Sequence, residues 1–432
     1  MNLKIYPKKL SGDIIVPPSK SFAHRALICS SLAEGKNTIN NIELSDDIKA
    51  TLYGLEKIGI KYKLDKNKIE IEGINIKTYN NTEMCNIDCN ESGSTLRFLI
   101  PIVAALGIKC KFKMSGNLGK RPLDIYYDIF RKNNIYFEKE RNSLFINGKL
   151  KSGIYEIPGN VSSQFITGMM FALSLLEEDS VIKIINKIES KSYIDITLEC
   201  LRDFGIKIEN NNYREFIIIG KQKYNNIEYT VESDFSQGAF FLCADAIGND
   251  INIKGLNENS VQGDKVGIDI LERMNCKKLF DKNKNIKIIT DNLKNTKIDA
   301  SDCPDIIPIF SVCAAFANGN TEIINAKRLR IKECDRLHAI SEELSKLGCN
   351  IIEKEDSIII NGNGNKKLKG DSTVWSHKDH RICMMLSIAS TICEKEIIIK
   401  DAECISKSYP RFFEDFKKLG GEYKILGDDI VE

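Results

Sequence analysis

Residues 16–25 read VPPSKSFAHR, and this stretch decides how the rest of the chain is interpreted. The two prolines end a strand, because proline cannot donate to a ladder and holds the preceding residue extended. Ser19 is a suitable helix N-cap, and the apolar spacing after it predicts a helix. Lys20 and Arg25 then stand in its first two turns, where free N–H groups and the helix dipole favour anions. An ordinary capped surface helix would explain the stretch equally well on its own.

The same pattern recurs along the chain. Helix caps of this kind fall near Ser19, Ser92, Ser162, Asp234, Asp305 and Asp379. A second marker, a residue that ends a helix in the left-handed conformation, falls at Gly59, Asn134, Gly205, Asn275, Gly348 and Gly420. Two independent markers in step predict six units, and the 432 residues divided by six give units of about 72 residues.

Each unit is predicted to follow the order βαβαββ. In the first unit the strands and helices are predicted, in order, at residues 13–16, 20–33, 37–42, 46–58, 60–64 and 68–72. The two parallel strands of each unit should be joined by a right-handed crossover. The caps change from Ser to Asp between units three and four, which places a domain boundary in the polar linker 221–229. Two domains of three units each would then present helix starts to a shared cleft suited to anionic small molecules.

Composition limits the class of protein. Hydrophobic residues make up 42% and charged residues 28% of the chain, and its net charge of +2 argues against a general nucleic-acid-binding protein. No apolar run reaches the length of a membrane span, and the N-terminus lacks a signal-peptide core. The fourteen cysteines form no C-x-x-C pair, which predicts reduced core residues of a cytoplasmic protein. His377 and His380 have no further ligands in the sequence pattern, so no metal site is predicted.

Several unit starts carry polar side chains that could bind anions or move protons. Anion-binding candidates are Gly93 in ESGSTLR, Arg121 in the loop GNLGKRP, Ser162, Ser163 and Gln164 at one helix start, and Ser190 and Tyr193 at another. Asp305 borders an apolar helix, a setting that suits a proton acceptor. The densest charge cluster of the chain is RLRIKECDR at residues 328–336. Taken singly, each of these could be a cap or a solvated turn.

Together these segments resemble the EPSP synthase family of enolpyruvyl transferases over the full length of the chain. The segments that carry the resemblance, in order, are PSKSFAHRAL, SGSTLRFLIP, KRPLD, SSQFITG, SKSYIDIT, PDIIPIF, RIKECDRL, KDHRI and SKSYPRFF. The resemblance implies a two-domain inverse α/β barrel, an α/β (α+β) fold with three βαβαββ repeats per domain. It implies domains at 19–229 and at 1–18 plus 230–432, which close over an active site in the cleft between them.

The resemblance also implies the reaction and the residues that perform it. The enolpyruvyl group of phosphoenolpyruvate would pass to the 5-hydroxyl of 3-phosphoshikimate through a tetrahedral intermediate, without a cofactor or a metal. Residues implied to bind 3-phosphoshikimate are Lys20, Ser21, Arg25, Ser162, Ser163, Gln164, Ser190, Tyr193, Asp305 and Lys332. Residues implied to bind phosphoenolpyruvate are Lys20, Gly93, Arg121, Gln164, Arg336, Arg381 and Lys407. The implied catalytic groups are Asp305 as base, with Glu333 and Lys20 as proton donors. The protein is expected to be a cytoplasmic monomer without nucleic-acid or membrane partners.

Two departures from the family pattern affect ligand-facing positions. Residues 91–95 read ESGST where many members have NAGTA, and Arg328 replaces an Asn that some members carry. We nevertheless expect glyphosate to inhibit, because Gly93 leaves room beside the phosphoenolpyruvate site. The alternative, an enolpyruvyl transferase acting on UDP-N-acetylglucosamine, typically has Lys-Asn in place of Lys20 and Ser21. That enzyme also has a Cys in the loop before Arg-Pro, whereas no Cys lies here between Cys110 and Cys200. A binding protein that has lost catalysis would have no use for both Asp305 and Glu333.

Overall fold

In a computed structural model of the chain, the described residues are 1–80, 83–280 and 285–427. They contain twelve α-helices: α1 Lys20–Leu32, α2 Asp46–Lys57, α3 Gly93–Leu106, α4 Asp124–Lys132, α5 Ser163–Leu173, α6 Lys191–Asp203, α7 Phe235–Ala246, α8 Val266–Arg273, α9 Ile307–Phe316, α10 Arg336–Lys346, α11 His380–Ala389 and α12 Phe412–Lys418. Short 3-10 helices lie at Leu118–Lys120, Gly263–Lys265, Lys327–Ile331, Ser390–Ile392 and Ala402–Lys407. None of the helices in these ranges combines the length and apolar character that crossing a membrane requires.

Twenty-four strands complete the described part of the chain. They are β1 Asn2–Tyr6, β2 Ser11–Ile15, β3 Gly35–Asn40, β4 Lys61–Asp65, β5 Lys68–Gly73, β6 Cys85–Asp88, β7 Cys110–Lys113, β8 Tyr136–Lys139, β9 Ser143–Asn147, β10 Ile154–Ile157, β11 Ser180–Ile184, β12 Ile208–Asn211, β13 Glu215–Ile218, β14 Glu228–Thr230, β15 Asp250–Lys254, β16 Lys277–Phe280, β17 Ile286–Ile289, β18 Lys297–Asp299, β19 Asn320–Ile324, β20 Asn350–Glu353, β21 Ile358–Asn361, β22 Ser372–Trp375, β23 Ile397–Lys400 and β24 Glu422–Leu426.

The chain forms two compact units, Pro18–Glu232 and Met1–Pro17 with Ser233–Glu432. The first unit holds sheets of order β14-β3-β5-β4, β6-β7-β9-β8 and β10-β11-β13-β12. The second unit holds sheets of order β16-β17-β15-β2, β18-β19-β21-β20 and β22-β23-β1-β24. Every sheet has one parallel pair followed by two antiparallel pairs, as in β6-β7-β9-β8. The predicted α/β (α+β) class with six related sheets is confirmed.

The repeat pattern assigned the first strand of the first repeat to the wrong sheet, although the resemblance implied that residues 1–18 belong with the second domain. The strand expected at residues 13–16 is β2, and it pairs with β15 of the fourth repeat, Ile14 lying opposite Ile253. Its expected place beside β3 is taken by β14, which comes from the end of the third repeat. Strand β1 likewise completes the sheet of the sixth repeat, between β23 and β24. The sequence markers that define the repeats lie at the ends of helices. A strand, by contrast, can join any sheet that has an open edge of the right direction. Pairing between strands more than 200 residues apart therefore left no local signal in the sequence.

The first helix of each repeat is almost fully enclosed, whereas the second is amphipathic. All twelve residues of α7 and all ten of α11 are buried. Helix α4, by contrast, buries only Tyr126, Ile129 and Phe130. A helix that is buried on every side must be largely apolar, so its charged side chains lie near its ends. This constraint places the functional groups at the helix starts.

The predicted helix boundaries can be checked one by one. All six predicted stops are left-handed, with φ between 56° at Asn134 and 94° at Gly59. Five predicted caps accept a hydrogen bond from the first turn, as Ser19 does from Phe22 N. The sixth prediction, Asp305, was wrong as a cap, because α9 begins after Ile306 and has no side-chain cap.

Strand β1 gives a direct test of the composite sheet. Leu3 is fully buried between β23 and β24, and Leu3→Ala should destabilise this sheet by about 2–5 kcal/mol. The only tryptophan, Trp375, lies on β22 of the same sheet, so its fluorescence in a urea titration reports the loss as a lower midpoint. Lys4→Ala, on the opposite face of β1, is the matched control. An unchanged midpoint for Leu3→Ala would contradict the pairing.

Candidate active site

In the unit Pro18–Glu232, Lys20 is the first residue of α1. Its Nζ lies 2.7 Å from Oδ2 of Asp47, which stands in the first turn of α2. Both side chains are mostly buried, so the pair is only weakly screened by solvent. The ion pair with Asp47 thus fixes the position of the Lys20 ammonium group at the start of α1.

Ser21, Arg25 and Tyr193, three of the predicted site residues, are in direct contact. The buried Arg25 guanidinium donates to Ser21 O at 2.7 Å, Tyr193 O at 2.9 Å and Thr197 Oγ1 at 2.8 Å. Burial lowers the pKa of Arg25 to about 10, so it remains a cation at neutral pH. These bonds join α1 to α6 and orient the guanidinium.

A second cluster surrounds Gly93 at the start of α3. A Cβ placed on Gly93 would lie 2.9 Å from Arg121 Nη1 and 3.5 Å from both Arg97 Nη1 and Gln164 Oε1. Arg97 Nη1 donates to Gln164 Oε1 at 2.7 Å, and Gln164 Nε2 donates to Ser94 Oγ at 2.9 Å. Two guanidiniums and a carboxamide therefore converge where residue 93 has no side chain. Arg97 was missed by the sequence prediction, although its spacing of four residues from Gly93 places both on one helical face.

The predicted serines lie at two further helix starts. Ser162 caps α5 by accepting from Gln164 N at 3.3 Å, and Ser163 begins the helix. Ser190 immediately precedes α6 and is buried in the left-handed conformation, with φ 54° and ψ 47°. It stands three residues before Tyr193, so the same turn provides Ser190 and the carbonyl that holds Arg25.

In the other unit, the buried Arg336 side chain organises the predicted catalytic residues. Its exposed fraction is only 1%, and it binds three carboxylates: Asp379 through Nε at 2.7 Å, Asp305 through Nη1 at 2.7 Å and Glu333 through Nη2 at 2.7 Å. Burial by itself would lower the pKa of Arg336, but these carboxylates raise it well above its usual value. One guanidinium thus fixes side chains from the starts of α9, α10 and α11.

Asp305 was predicted as a helix cap, but it binds cationic side chains. Its Oδ1 accepts from Arg336 Nη1 at 2.7 Å and from Lys332 Nζ at 3.2 Å, and the N-cap position of α9 is Ile306 instead. Burial lowers the pKa of Lys332, while the carboxylate of Asp305 opposes that shift. Asp305 therefore lies between two cations at the edge of an apolar helix.

Arg381 and Lys407 are each held by backbone carbonyls. Arg381 Nη1 donates to Ser236 O at 2.9 Å, and its own backbone N–H donates to Asp379 at 2.8 Å. Lys407 Nζ donates to Lys378 O at 3.0 Å. These bonds place Arg381 next to the Arg336 cluster through Asp379, which the sequence predicted only as a cap.

Asp264 is a buried carboxyl that the sequence prediction missed. It hydrogen-bonds Ser236 Oγ, the residue whose carbonyl holds Arg381. Burial, and next the charge of Asp305, raise the pKa of Asp264 to about 7. The QGD sequence before α8 carried no helix-cap or charge-cluster signal, so only the tertiary structure brings Asp264 to this place.

The histidine prediction needs a correction. His377 was expected to lack further metal ligands, yet ligand atoms of Glu342, Glu343 and His377 lie within 4.8 Å of one another. Both oxygens of Glu343 are already used, Oε1 by His377 Nε2 and Lys346 Nζ and Oε2 by Trp375 N. This arrangement is that of a hydrogen-bonded ion cluster.

Comparison with known proteins identifies similar chains. A family model described as EPSP synthase (3-phosphoshikimate 1-carboxyvinyltransferase) matches residues 5–416. A protein named 3-phosphoshikimate 1-carboxyvinyltransferase from Clostridioides difficile (strain 630) is 57% identical, covering 97% of this chain and 98% of that protein. A protein of the same name from Clostridium beijerinckii is 54% identical, covering 98% of both chains. The structure of an EPSP synthase from Acinetobacter baumannii superposes with a TM-score of 0.82 at 25% identity, covering 98% of this chain and all of the other.

The raised pKa of Asp264 predicts a pH dependence of stability. Between its ordinary value of 3.8 and about 7, the folded state binds a proton that the unfolded state has released. The free energy of unfolding should therefore decrease as pH rises through this window and level off above it. Asp264→Asn should remove this contribution, so its melting temperature should fall less than that of the wild type between pH 5 and pH 8. Asp250→Asn is the control, because an ion pair with Lys287 lowers the pKa of Asp250. Identical pH profiles for wild type and Asp264→Asn would contradict this assignment.

Proposed function

This chain belongs to the EPSP synthase family, the 3-phosphoshikimate 1-carboxyvinyltransferases, and from that premise we propose which of its side chains perform the reaction. The enzyme transfers the enolpyruvyl group of phosphoenolpyruvate to the 5-hydroxyl of 3-phosphoshikimate and releases phosphate. The product, 5-enolpyruvylshikimate 3-phosphate, leads to chorismate and the aromatic amino acids. The observation that carries the catalytic assignment is Asp305, which lies at a predicted cap position yet binds Lys332 and Arg336.

Recognition of 3-phosphoshikimate is assigned to the unit Pro18–Glu232, with Asp305 and Lys332 on the sugar-like hydroxyls. The contact of Arg25 with Ser21 and Tyr193 supports binding of the substrate carboxylate, because a buried, oriented guanidinium suits a planar anion. Ser162, Ser163 and Ser190 would bind the phosphate, aided by the positive dipole ends of two helices. Lys20 and Gln164 would contact both substrates.

Recognition of phosphoenolpyruvate is assigned to a set of cations. The convergence of Arg121 and Gln164 on Gly93 supports a phosphate site there, and Lys20 and Lys407 would add two ammonium groups. Because residue 93 has no side chain, the phosphate can approach the backbone closely.

The carboxylate of phosphoenolpyruvate would be bound by Arg336 and Arg381. Arg336 already binds three protein carboxylates, so a substrate carboxylate must exchange with one of them. Glu333 is the partner we assign to this exchange, because Asp379 is fully buried and Asp305 is assigned as the base. Release from Arg336 would favour protonation of Glu333, as its role of proton donor requires.

The proton steps then follow from these positions. Asp305 accepts the proton of the 5-hydroxyl while Glu333, with Lys20, protonates the methylene carbon of phosphoenolpyruvate. The 5-oxygen bonds to C2 of phosphoenolpyruvate as the methylene becomes a methyl group, which gives the tetrahedral intermediate. Glu333 then takes a proton back from that methyl group, the carbon–carbon double bond forms again, and the C–O bond to phosphate breaks. The preorganised cations stabilise the charge that develops in each step. No step requires a metal or a cofactor.

Cellular context is also part of the proposal. All fourteen cysteines carry free thiols and most are buried, which supports a reducing compartment such as the cytoplasm. We also propose that the protein acts as a monomer.

The activity is tested by following phosphate release and the enolpyruvyl product with purified protein. Release should require phosphoenolpyruvate and 3-phosphoshikimate together, and UDP-N-acetylglucosamine should not replace the latter. Turnover with the nucleotide sugar, or binding of both substrates without turnover, would overturn the proposed function.

Asp305→Asn tests the assignment of the base. The substitution keeps the side-chain shape and an oxygen for Arg336 but cannot accept the proton, so kcat should fall roughly 10²- to 10⁴-fold while substrate binding persists. Because the substitution removes a charge partner of the buried Arg336, the melting temperature should fall, and kcat is therefore measured at a temperature at which the variant is fully folded. A kcat near that of the wild type would show that another group is the base.

A further inference from the structure

The turn that joins β22 to α11 has an unusual backbone. His377 and Lys378 are consecutive residues with φ of 52° and 55°, the left-handed region that residues with a side chain seldom adopt. Such a conformation persists only where surrounding contacts determine it, and it is frequent at functional sites. The contacts of this turn therefore indicate what it is for.

Glu343 on α10 holds the turn from one side. The side chain is fully buried, and its Oε1 accepts from His377 Nε2 at 2.8 Å and from Lys346 Nζ at 2.8 Å. Its Oε2 accepts from the backbone N–H of Trp375 at 2.9 Å. One carboxylate thus binds the last residue of β22 and the first strained residue of the turn. The His377 ring also packs on the Trp375 ring, with centroids 4.1 Å apart.

The opposite side of the turn faces the proposed phosphoenolpyruvate residues. Lys378 O accepts from Lys407 Nζ at 3.0 Å, and the next residue, Asp379, binds Arg336 Nε at 2.7 Å. Helix α10 therefore contacts the turn at two points. Its first residue, Arg336, binds Asp379, and Glu343, two helical turns later, binds His377 and Trp375 N. A change in the backbone at residues 377–378 would move the carbonyl that holds Lys407 and the carboxylate that holds Arg336.

We propose that Glu343 and His377 are positioning residues that hold the turn 376–379 in its left-handed conformation, and thereby place Lys407 and Arg336 for phosphoenolpyruvate. This inference rests on the proposed function. It assigns to Glu343 and His377 a role that the sequence pattern did not indicate. A cation bound by Glu342, Glu343 and His377 is the competing explanation, but it would have to displace Lys346 and Trp375 N from Glu343.

Steady-state kinetics of Glu343→Gln in the full chain tests the proposal. We expect the KM for phosphoenolpyruvate to rise about ten-fold while the KM for 3-phosphoshikimate stays within about two-fold. The emission of Trp375 should shift, because its backbone and ring partners change. Glu342→Gln is the matched control: it removes the same charge from the adjacent residue, whose side chain is 39% exposed and lies 3.6 Å from His377. It should leave both KM values unchanged.

His377→Asn provides a second variant that should fold. Asparagine tolerates the left-handed conformation, so the turn can form without the bond to Glu343. The KM for phosphoenolpyruvate should rise about three-fold, and the effect should be non-additive with Lys407→Ala in a double-mutant cycle. A purely structural role would instead lower the melting temperature and raise both KM values together.

The outcomes separate this inference from the proposed function. Wild-type turnover, measured first, tests the function. If the wild type is active and Glu343→Gln and His377→Asn have its KM for phosphoenolpyruvate, the positioning role is overturned while the proposed function stands. Additive effects of His377→Asn and Lys407→Ala would overturn the positioning role in the same way. Loss of wild-type activity with EDTA that Zn²⁺ restores would replace the positioning role by a metal site.

Discussion

The burial of the first helix of each repeat is the constraint on which the rest of this structure depends. A helix such as α7, with no exposed residue, can carry polar side chains only where it begins or ends. Its N-terminal end also has unsatisfied N–H groups and a favourable dipole for anions. The same physical requirement that makes the core apolar therefore concentrates cations and hydroxyl groups at the helix starts. A fold built from six such repeats is suited to substrates that carry several negative charges.

Burying charge at these starts is costly unless the charge has ion-pair or hydrogen-bond partners. Arg336 illustrates the solution, because its guanidinium is desolvated and yet contacts carboxylates from three helix starts. The pairing has a functional consequence. In the role proposed for Arg336, a substrate carboxylate would bind by exchange, so that arrival of substrate and release of a protein carboxylate would be one event. Arg25 represents the opposite arrangement, since its partners are neutral oxygens and it remains a cation available to an anion.

The sheets show how a repeat in sequence differs from a repeat in structure. Three sheets are assembled from one continuous segment each, whereas those containing β1, β2 and β14 borrow a strand from a distant part of the chain. Strands β2 and β14 occupy equivalent positions in different sheets. The six sheets therefore have the same arrangement, although their strands do not all come from consecutive parts of the chain. Hydrogen-bonded edges are satisfied in either case, so the exchange leaves each sheet complete.

Features that depend only on a residue and its immediate neighbours were determined by the sequence alone. The left-handed stops at Gly59 and Asn134 are examples, because φ at such a position depends on the residue itself and its immediate neighbours. The cluster of Arg121 and Gln164 around Gly93 was likewise predictable once the repeats were aligned. Asp305 marks the limit: its position in the repeat predicted a cap, but two cations 27 and 31 residues away bind its carboxylate instead. The roles of Asp264 and Glu343 and the pairing of β2 were decided only by tertiary structure. Each depends on burial and on partners from distant segments, and those are properties of the folded chain that no local pattern encodes.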